Sequence, residues 1–239
     1  MLKRITVFGF LFISFVGICF LNPQNSFTDP YDDITDFMAK ERFHEAETLC
    51  KKMLKTHPDD VVFMAQMGGI YWAQEKKFPA ITCFRKALKI DPDYPVPYFF
   101  LGKIYFKENK PEKGKEQFKL FEGGMEPLLD KDEKMIDYYV SRLHEICYLY
   151  STRKWYKEIK VICRKIIRLR SNDAKAYYNL AVCYYVGSNN RSRAYNELMK
   201  VKELEPDSRM SDKADFYIDY MRRNPDSRIL GDFTFLYED

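Results

Sequence analysis

Between Met67 and Tyr94 the chain reads MGGIYWAQEKKFPAITCFRKALKIDPDY, and its apolar residues return every three or four positions. That period belongs to an amphipathic helix, and it predicts two short helices in succession, each with one apolar face. Pro92 suits the end of the second, since proline cannot continue a helix and biases its predecessor away from helical angles. The same spacing then returns along the chain. Moving back 34 residues, Tyr71 meets Phe37, Ala80 meets Ala46, Phe84 meets Cys50 and Pro92 meets Pro58. Moving forward 34, Gly68 meets Gly102, Tyr71 meets Tyr105, Ala80 meets Gly114 and Phe84 meets Phe118. Small residues fall on small ones and aromatic residues on aromatic ones. A fixed period of this length marks a stacked repeat, in which one unit cannot bury its own apolar face and its neighbours close a continuous core.

The intervals resemble the tetratricopeptide repeat (TPR), a helix-turn-helix unit with the pattern W-x2-L-G-x2-Y, then A-x3-F, then P. In the clearest copy Met64 and Met67 take the Trp and Leu places, followed by Gly68, Tyr71, Ala80, Phe84 and Pro92. The next copy has Tyr98, Leu101, Gly102, Tyr105, Gly114 and Phe118. A fourth has Leu143, Ile146, Cys147, Tyr150, Ile159 and Cys163, with Ser171 replacing the proline. A fifth has Tyr177, Leu180, Ala181, Tyr184, Ala194, Leu198 and Pro206, with one extra residue in its turn. The first copy keeps only Ile34 and Phe37 in its leading helix. The resemblance spans Asp32 to Pro206. It implies an all-α protein, an α-α superhelix (TPR solenoid) of about five helix-turn-helix repeats plus a C-terminal capping helix.

The expected organisation is a leader at 1–26, a repeat domain at 30–208 and a C-terminal helix and tail at 209–239. Its units run at about 30–60, 61–94, 95–128, 140–173 and 174–208. The period breaks between Phe121 and Asp137, since Tyr105 to Tyr150 is 45 residues. Gly123, Gly124 and Pro127 are expected to stop the helix there, as a lengthened connection or as a hinge between two sub-stacks. After Pro206, Ser211 is expected to cap a last helix reaching about Arg223, with Ala214, Tyr217, Ile218 and Met221 on one face.

The amino terminus differs in kind. MLKR precedes ITVFGFLFISFVGICFL, 17 uncharged residues from Ile5 to Leu21. A basic start before an apolar core reads as an export signal or membrane anchor. Three forms stay open: a retained anchor, a cleaved signal, and a lipoprotein at Cys19, where Ile18 stands in a place normally held by a small residue. In each, Lys3 and Arg4 stay cytoplasmic and the repeats lie outside the cytoplasm, in the cell envelope.

Charge adds an exclusion. The formal net charge is +4, from 39 basic and 35 acidic residues, and Lys3 with Arg4 supplies two of those basic residues. That is no nucleic-acid footprint. Cys50 and Cys163 take the aromatic place of a second helix and Cys147 the small place of a first. Buried core thiols therefore fit better than disulfides, and no C-x-x-C occurs.

Catalytic and metal motifs do not complete. HEAET from His44 and HEICY from His144 begin a zinc-protease motif and fail at the fifth position. DPYDDITD lacks the glycine and terminal glutamate of a calcium loop. Neither a P-loop nor G-x-S-x-G is present. The reading is a non-catalytic interaction or assembly scaffold with no cofactor, metal or small-molecule substrate. The alternative is an enzyme or enzyme-regulatory subunit with an unmarked site.

In the resembled family, first helices of successive units line a concave groove that takes a protein or peptide. The resemblance places Trp72, Phe99, Lys103 and Phe106 there, with Gln66, Gly69, Ala73 and Lys107 beside them. Further along it places Tyr148, Tyr178, Asn179 and Tyr185, with His144 and Val182. Aromatic residues in such a groove would act as anchors for an apolar or aromatic peptide. A second reading is equally open: these rings pack helix on helix, or lie under the tail that carries Leu230, Phe233, Phe235 and Leu236. Ala65 and Gly69 stand where a carboxylate clamp would begin, so that ligand is excluded. Finally, KEIKVICRKIIRLR puts Lys157, Lys160, Arg164, Lys165, Arg168 and Arg170 on one helix. Such a helix is a solvated face or one turned to anionic headgroups.

Overall fold

The computed structural model describes residues 29–130 and 133–225. The leader at 1–26 and the apolar tail fall outside the described residues. Among the described residues there are eleven α-helices and no strand. They are α1 (Pro30–Ala39), α2 (Phe43–Thr56), α3 (Val61–Ala73), α4 (Lys77–Ile90), α5 (Pro95–Lys107) and α6 (Pro111–Met125). The chain continues with α7 (Glu133–Ser151), α8 (Tyr156–Leu169), α9 (Ala174–Ser188), α10 (Arg191–Leu204) and α11 (Arg209–Arg223). Two compact units result, one up to Asp132 and one from Glu133. No described helix is long and apolar enough to cross a membrane.

Helices pair through a turn that recurs at a fixed place. Glu41, Glu75, Asn109, Lys154 and Asn189 have positive φ, between 51° and 60°. In the first four turns the next N–H reaches back five residues: Arg42 to the Phe37 carbonyl, Lys76 to Tyr71, Lys110 to Tyr105 and Trp155 to Tyr150. The left-handed residue itself donates three back, as in Glu75 to Trp72. This pair of bonds is the Schellman ending, which satisfies two of the carbonyls a helix terminus leaves open. In the fifth turn the bond spans six residues, from the Asn190 N–H to the Tyr184 carbonyl at 2.8 Å. The extra length goes into the end of α9, which runs to Ser188, whereas α3 and α5 end at Ala73 and Lys107.

Helix starts are solved locally as well. Asp60 accepts the Val62 and Phe63 N–H groups at 2.9 and 3.0 Å, and Asp173 accepts that of Ala176 at 2.7 Å. Such caps are worth roughly 1 kcal/mol each. No side chain caps α5, whose first residue is Pro95; proline there brings no N–H that needs a partner. The cap of α11 is Ser208, not Ser211. Ser208 Oγ accepts the Ser211 N–H at 3.1 Å, and Ser211 is buried beneath it.

The packing follows from small residues set against rings. A Cβ added to Gly68 would lie 2.5 Å from the Phe84 ring, and one on Gly102 2.4 Å from Phe118. One on Gly114 would meet the Phe106 ring at 2.4 Å and the Gly102 carbonyl at 2.9 Å. With no side chain in the way, the two helices of a pair close up and the ring covers bare backbone. In the first unit α3 then touches its own second helix, the second helix before it and the first helices on either side: it packs on α4, α2, α1 and α5.

This corrects the expectation that each half-unit is amphipathic. α3, α5 and α9 are apolar round most of their circumference and buried on most faces, with Tyr178 to Tyr185 an unbroken buried run. A helix apolar all round is a buried helix. The strongest amphipathic pattern belongs to a second helix, α8. A further correction concerns the period break. Gly123 and Gly124 do not stop α6, which runs to Met125 before a short 3-10 turn at Glu126–Leu128. Much of the added length goes into helix, since α7 has 19 residues.

Two outcomes test this account. Glu75→Gly relieves a left-handed backbone and should raise the unfolding midpoint, by about 1 kcal/mol in stability; a lower midpoint would mean that Glu75 is not strained. Ala80, fully buried at a helix contact, should not accept a larger side chain. Ala80→Leu should cost about 1–3 kcal/mol by overpacking, read by denaturant unfolding.

Candidate functional site

In the first unit, the first helices α1, α3 and α5 form a row, each touching the next. Polar and aromatic side chains along this row are partly open to solvent. Gln66 from α3 donates to the Tyr31 carbonyl of α1 at 3.1 Å. Gly69 leaves an opening, since a Cβ there would meet nothing closer than Phe100 at 4.0 Å. Trp72 is half-buried and packs against the Ala80, Phe84, Leu101 and Ile104 cluster. Lys107 from α5 lies over its ring at 4.6 Å. Lys103 sits 5.3 Å from the Phe99 ring and is partly exposed. A cation placed on an aromatic face, beside a gap opened by glycine, suits a ligand that brings an apolar group and a negative charge.

Several residues expected to line a groove are core instead. Phe99 is fully buried, with Phe100, Phe118 and Phe121 rings at 5.5, 6.0 and 5.3 Å. Phe106 is buried against Phe118 at 5.6 Å and closes over Gly114. Tyr178 is buried beside Tyr217 of α11, edge-on at 6.3 Å, and burial pushes its phenol well above the usual range. Asn179, Tyr185 and Val182 are buried too, and the Arg191 guanidinium lies 5.6 Å from the Tyr185 ring. The physical reason is shared: a first helix has neighbours on nearly every side, so residues one turn apart on it need not point outward. Trp72 and Lys103 belong to the first unit, whereas Tyr148, 48% exposed, belongs to the second.

In the second unit, His144 Nε2 stands 3.0 Å from Asp173 Oδ2, while Asp173 Oδ1 caps α9. The first unit has the same arrangement with Tyr31, whose hydroxyl donates to Asp60 Oδ2 at 2.6 Å. Both pairs are 29 residues apart. A side chain of one repeat thus ties down the cap of the next, a link that repeat alignment alone does not reveal because tyrosine and histidine replace one another. Burial pushes the Asp173 carboxyl up, and the His144 hydrogen bond and charge, with the Ala176 N–H and Arg170, more than offset it and hold it low. For Tyr31, burial and then Asp60 push the phenol well above its ordinary value.

Thiol chemistry is not offered by the interior. Cys50, Cys147, Cys163 and Cys183 are buried thiols outside any disulfide, and Cys50 donates to the Phe63 carbonyl at 3.1 Å. Burial, with Cys83 nearby, pushes the Cys50 thiol up to about 12. Among the described residues, no three His, Cys, Asp or Glu side chains are placed to hold a metal.

Residues 68–109 match the sequence model of the TPR repeat. No curated protein matches the chain. Solved structures of similar fold include PilW, a type IV pilus biogenesis factor, at 13% identity and TM-score 0.58, covering 83% of this chain and 93% of that one. PilF of Pseudomonas aeruginosa aligns at 15% identity and TM-score 0.55, over 83% and 91%. YrrB, a TPR protein with an unusual peptide-binding site, aligns at 19% and 0.52, over 78% and 90%.

The fold is a TPR solenoid. Its repeat positions explain why Gly68, Gly102 and Gly114 face rings, and α11 takes the place of a capping helix behind the last TPR pair.

Asp173→Ala should remove both a cap and the His144 link, costing about 1–2 kcal/mol at neutral pH. The folded carboxyl titrates below the unfolded one, so its contribution is full above about pH 4 and is lost as pH falls through the folded value. Urea unfolding as a function of pH should show the variant with a shallower acid decline than the parent.

Proposed function

We propose that the chain is a non-catalytic scaffold that holds a peptide or protein partner along the row of first helices in its first unit, outside the cytoplasm. The observation that carries this reading is the half-buried Trp72 ring with Lys107 above it and the Gly69 gap beside it. The Trp72 ring packs on the core yet stays partly open to solvent under a lysine. It suits a partner segment that lays an apolar side chain on Trp72 and a carboxylate near Lys107 and Lys103. Aromatic anchors of this kind dominate affinity at interfaces.

Other support is of two kinds. The fold is shared with YrrB, whose structure is described by its peptide-binding site, and with PilW, a pilus biogenesis factor. Both align below 25% identity, so they favour a binding role without naming the partner. The basic start and apolar stretch from Ile5 to Leu21 favour export with attachment to a membrane. Of the groove residues read from the sequence, Trp72 and Lys103 stay in this proposal, with Tyr148 on the second unit as a separate exposed aromatic.

The test is site-specific photocrosslinking in the intact cell envelope, with the probe at Ala73 on that row and a control probe at Lys86 on a second helix. A partner captured at Ala73 and not at Lys86 is the expected result. Trp72→Ala should then weaken that partner's binding by about tenfold or more, with far-UV circular dichroism unchanged. Equal capture at both positions, or turnover of a substrate by the purified chain, would sink the scaffold reading.

A further inference from the structure

Three cations from two second helices of the second unit converge on one ring. Around Tyr184, the Lys160 ammonium lies 5.6 Å from the ring centroid, the Arg164 guanidinium 6.0 Å and the Arg193 guanidinium 5.5 Å. Arg164 also donates to the Tyr184 hydroxyl at 2.7 Å. Among the described residues none of the three lies within ion-pair distance of a carboxylate, and neither does Arg168, one turn along α8. The acid that faces them from α10 is Glu197, which is half-buried; burial raises its carboxyl, with Arg164 and Arg193 opposing. Like charges gathered this closely around a single half-buried carboxyl repel one another, and an anion bound from outside would relieve that repulsion.

The same face is apolar between its charges. Val161 is 58% exposed, and a depression on α8 is lined by Val161, Arg164, Ile167 and Arg168. An acidic protein surface would use the cations and leave Val161 and Ile167 idle. A helix face with arginines and lysines flanking exposed aliphatic residues suits the boundary between headgroups and acyl chains. Guanidinium groups match phosphate oxygens in two-point hydrogen bonds.

We infer that the outer face of α8, with Arg193 of α10, docks on a bilayer surface that carries anionic phospholipid: Lys160, Arg164, Arg168 and Arg193 take headgroup phosphates and Val161 with Ile167 enters the interface. This face lies on second helices, whereas the partner face proposed above lies on first helices of the other unit. Either can fail while the other stands.

The experiment uses the full chain, which can also enter bilayers through its Ile5 to Leu21 stretch whatever their charge. The quantity measured is therefore the ratio of its affinities for phosphatidylcholine vesicles with and without added phosphatidylglycerol, by flotation. The parent should prefer the anionic vesicles by roughly tenfold or more at low salt, and lose the preference at high salt. Arg164→Gln with Arg168→Gln should bring the ratio towards one. Val161→Ser, at an exposed position that does not threaten folding, should lower anionic-vesicle binding by about threefold. A parent ratio near one would overturn the inference. So would a Val161→Ser ratio unchanged from the parent while polyglutamate displaces the chain from anionic vesicles, since an acidic polypeptide would then be the partner.

Discussion

Bare backbone facing an aromatic ring is the contact from which the rest of this stack follows. Where Gly68 lies under Phe84 and Gly102 under Phe118, any side chain would overlap the ring. The two helices of a pair can approach only because that space is vacant, and the ring then replaces water over exposed amide groups. Close approach has a cost elsewhere, because a helix surrounded this tightly has no solvated side on which to place charge. Hence α3, α5 and α9 are apolar nearly all round, and polar residues collect on second helices. Dispersion at this density, more than any single hydrogen bond, is what a substitution at such a position disturbs.

Much of this was legible from residue intervals. Gly68, Tyr71, Ala80, Phe84 and Pro92 recur at one period because each answers a geometric need, so the period predicts helix-turn-helix pairs and their stacking. What spacing did not carry was direction. Phe99, Phe106, Tyr178, Asn179 and Tyr185 occupy places that face outward when a helix is drawn as half-buried, yet here the helix is buried on further sides by neighbours remote in sequence. Pattern reading assigns a face; it does not count how many elements press upon it. The turns were hidden for a different reason. A left-handed residue usually announces itself as glycine, and here Glu41, Glu75 and Lys154 take that conformation under tertiary control. Gly123 and Gly124 point in the opposite sense, since α6 runs on through both despite their weak propensity, with Gly124 close against Asp93 and Pro95.

The interior and the surface divide their labour. Buried positions use cysteine and tyrosine as fillers, with Cys50 bonded to a carbonyl and Tyr31 to a capping aspartate. Those links serve register between repeats. At the boundary, a few side chains from different helices come together: an indole under a lysine on first helices, and cations around a tyrosine on first and second helices. Each is assembled across a helix-helix contact, so neither could be read from one helix alone.

The widened fifth turn shows where this architecture tolerates a change of length. An added residue within a helix would rotate every later side chain by about 100° and turn apolar positions towards water. Between Tyr184 and Asn190 the added residue lengthens the last turn of α9, past the positions that pack, while Asn189 keeps the left-handed angle and α10 begins in its proper phase. Insertions and deletions are thus absorbed at the punctuation between helices, where phase is reset once per half-repeat. A chain built this way can drift in length by single residues while its core remains in step.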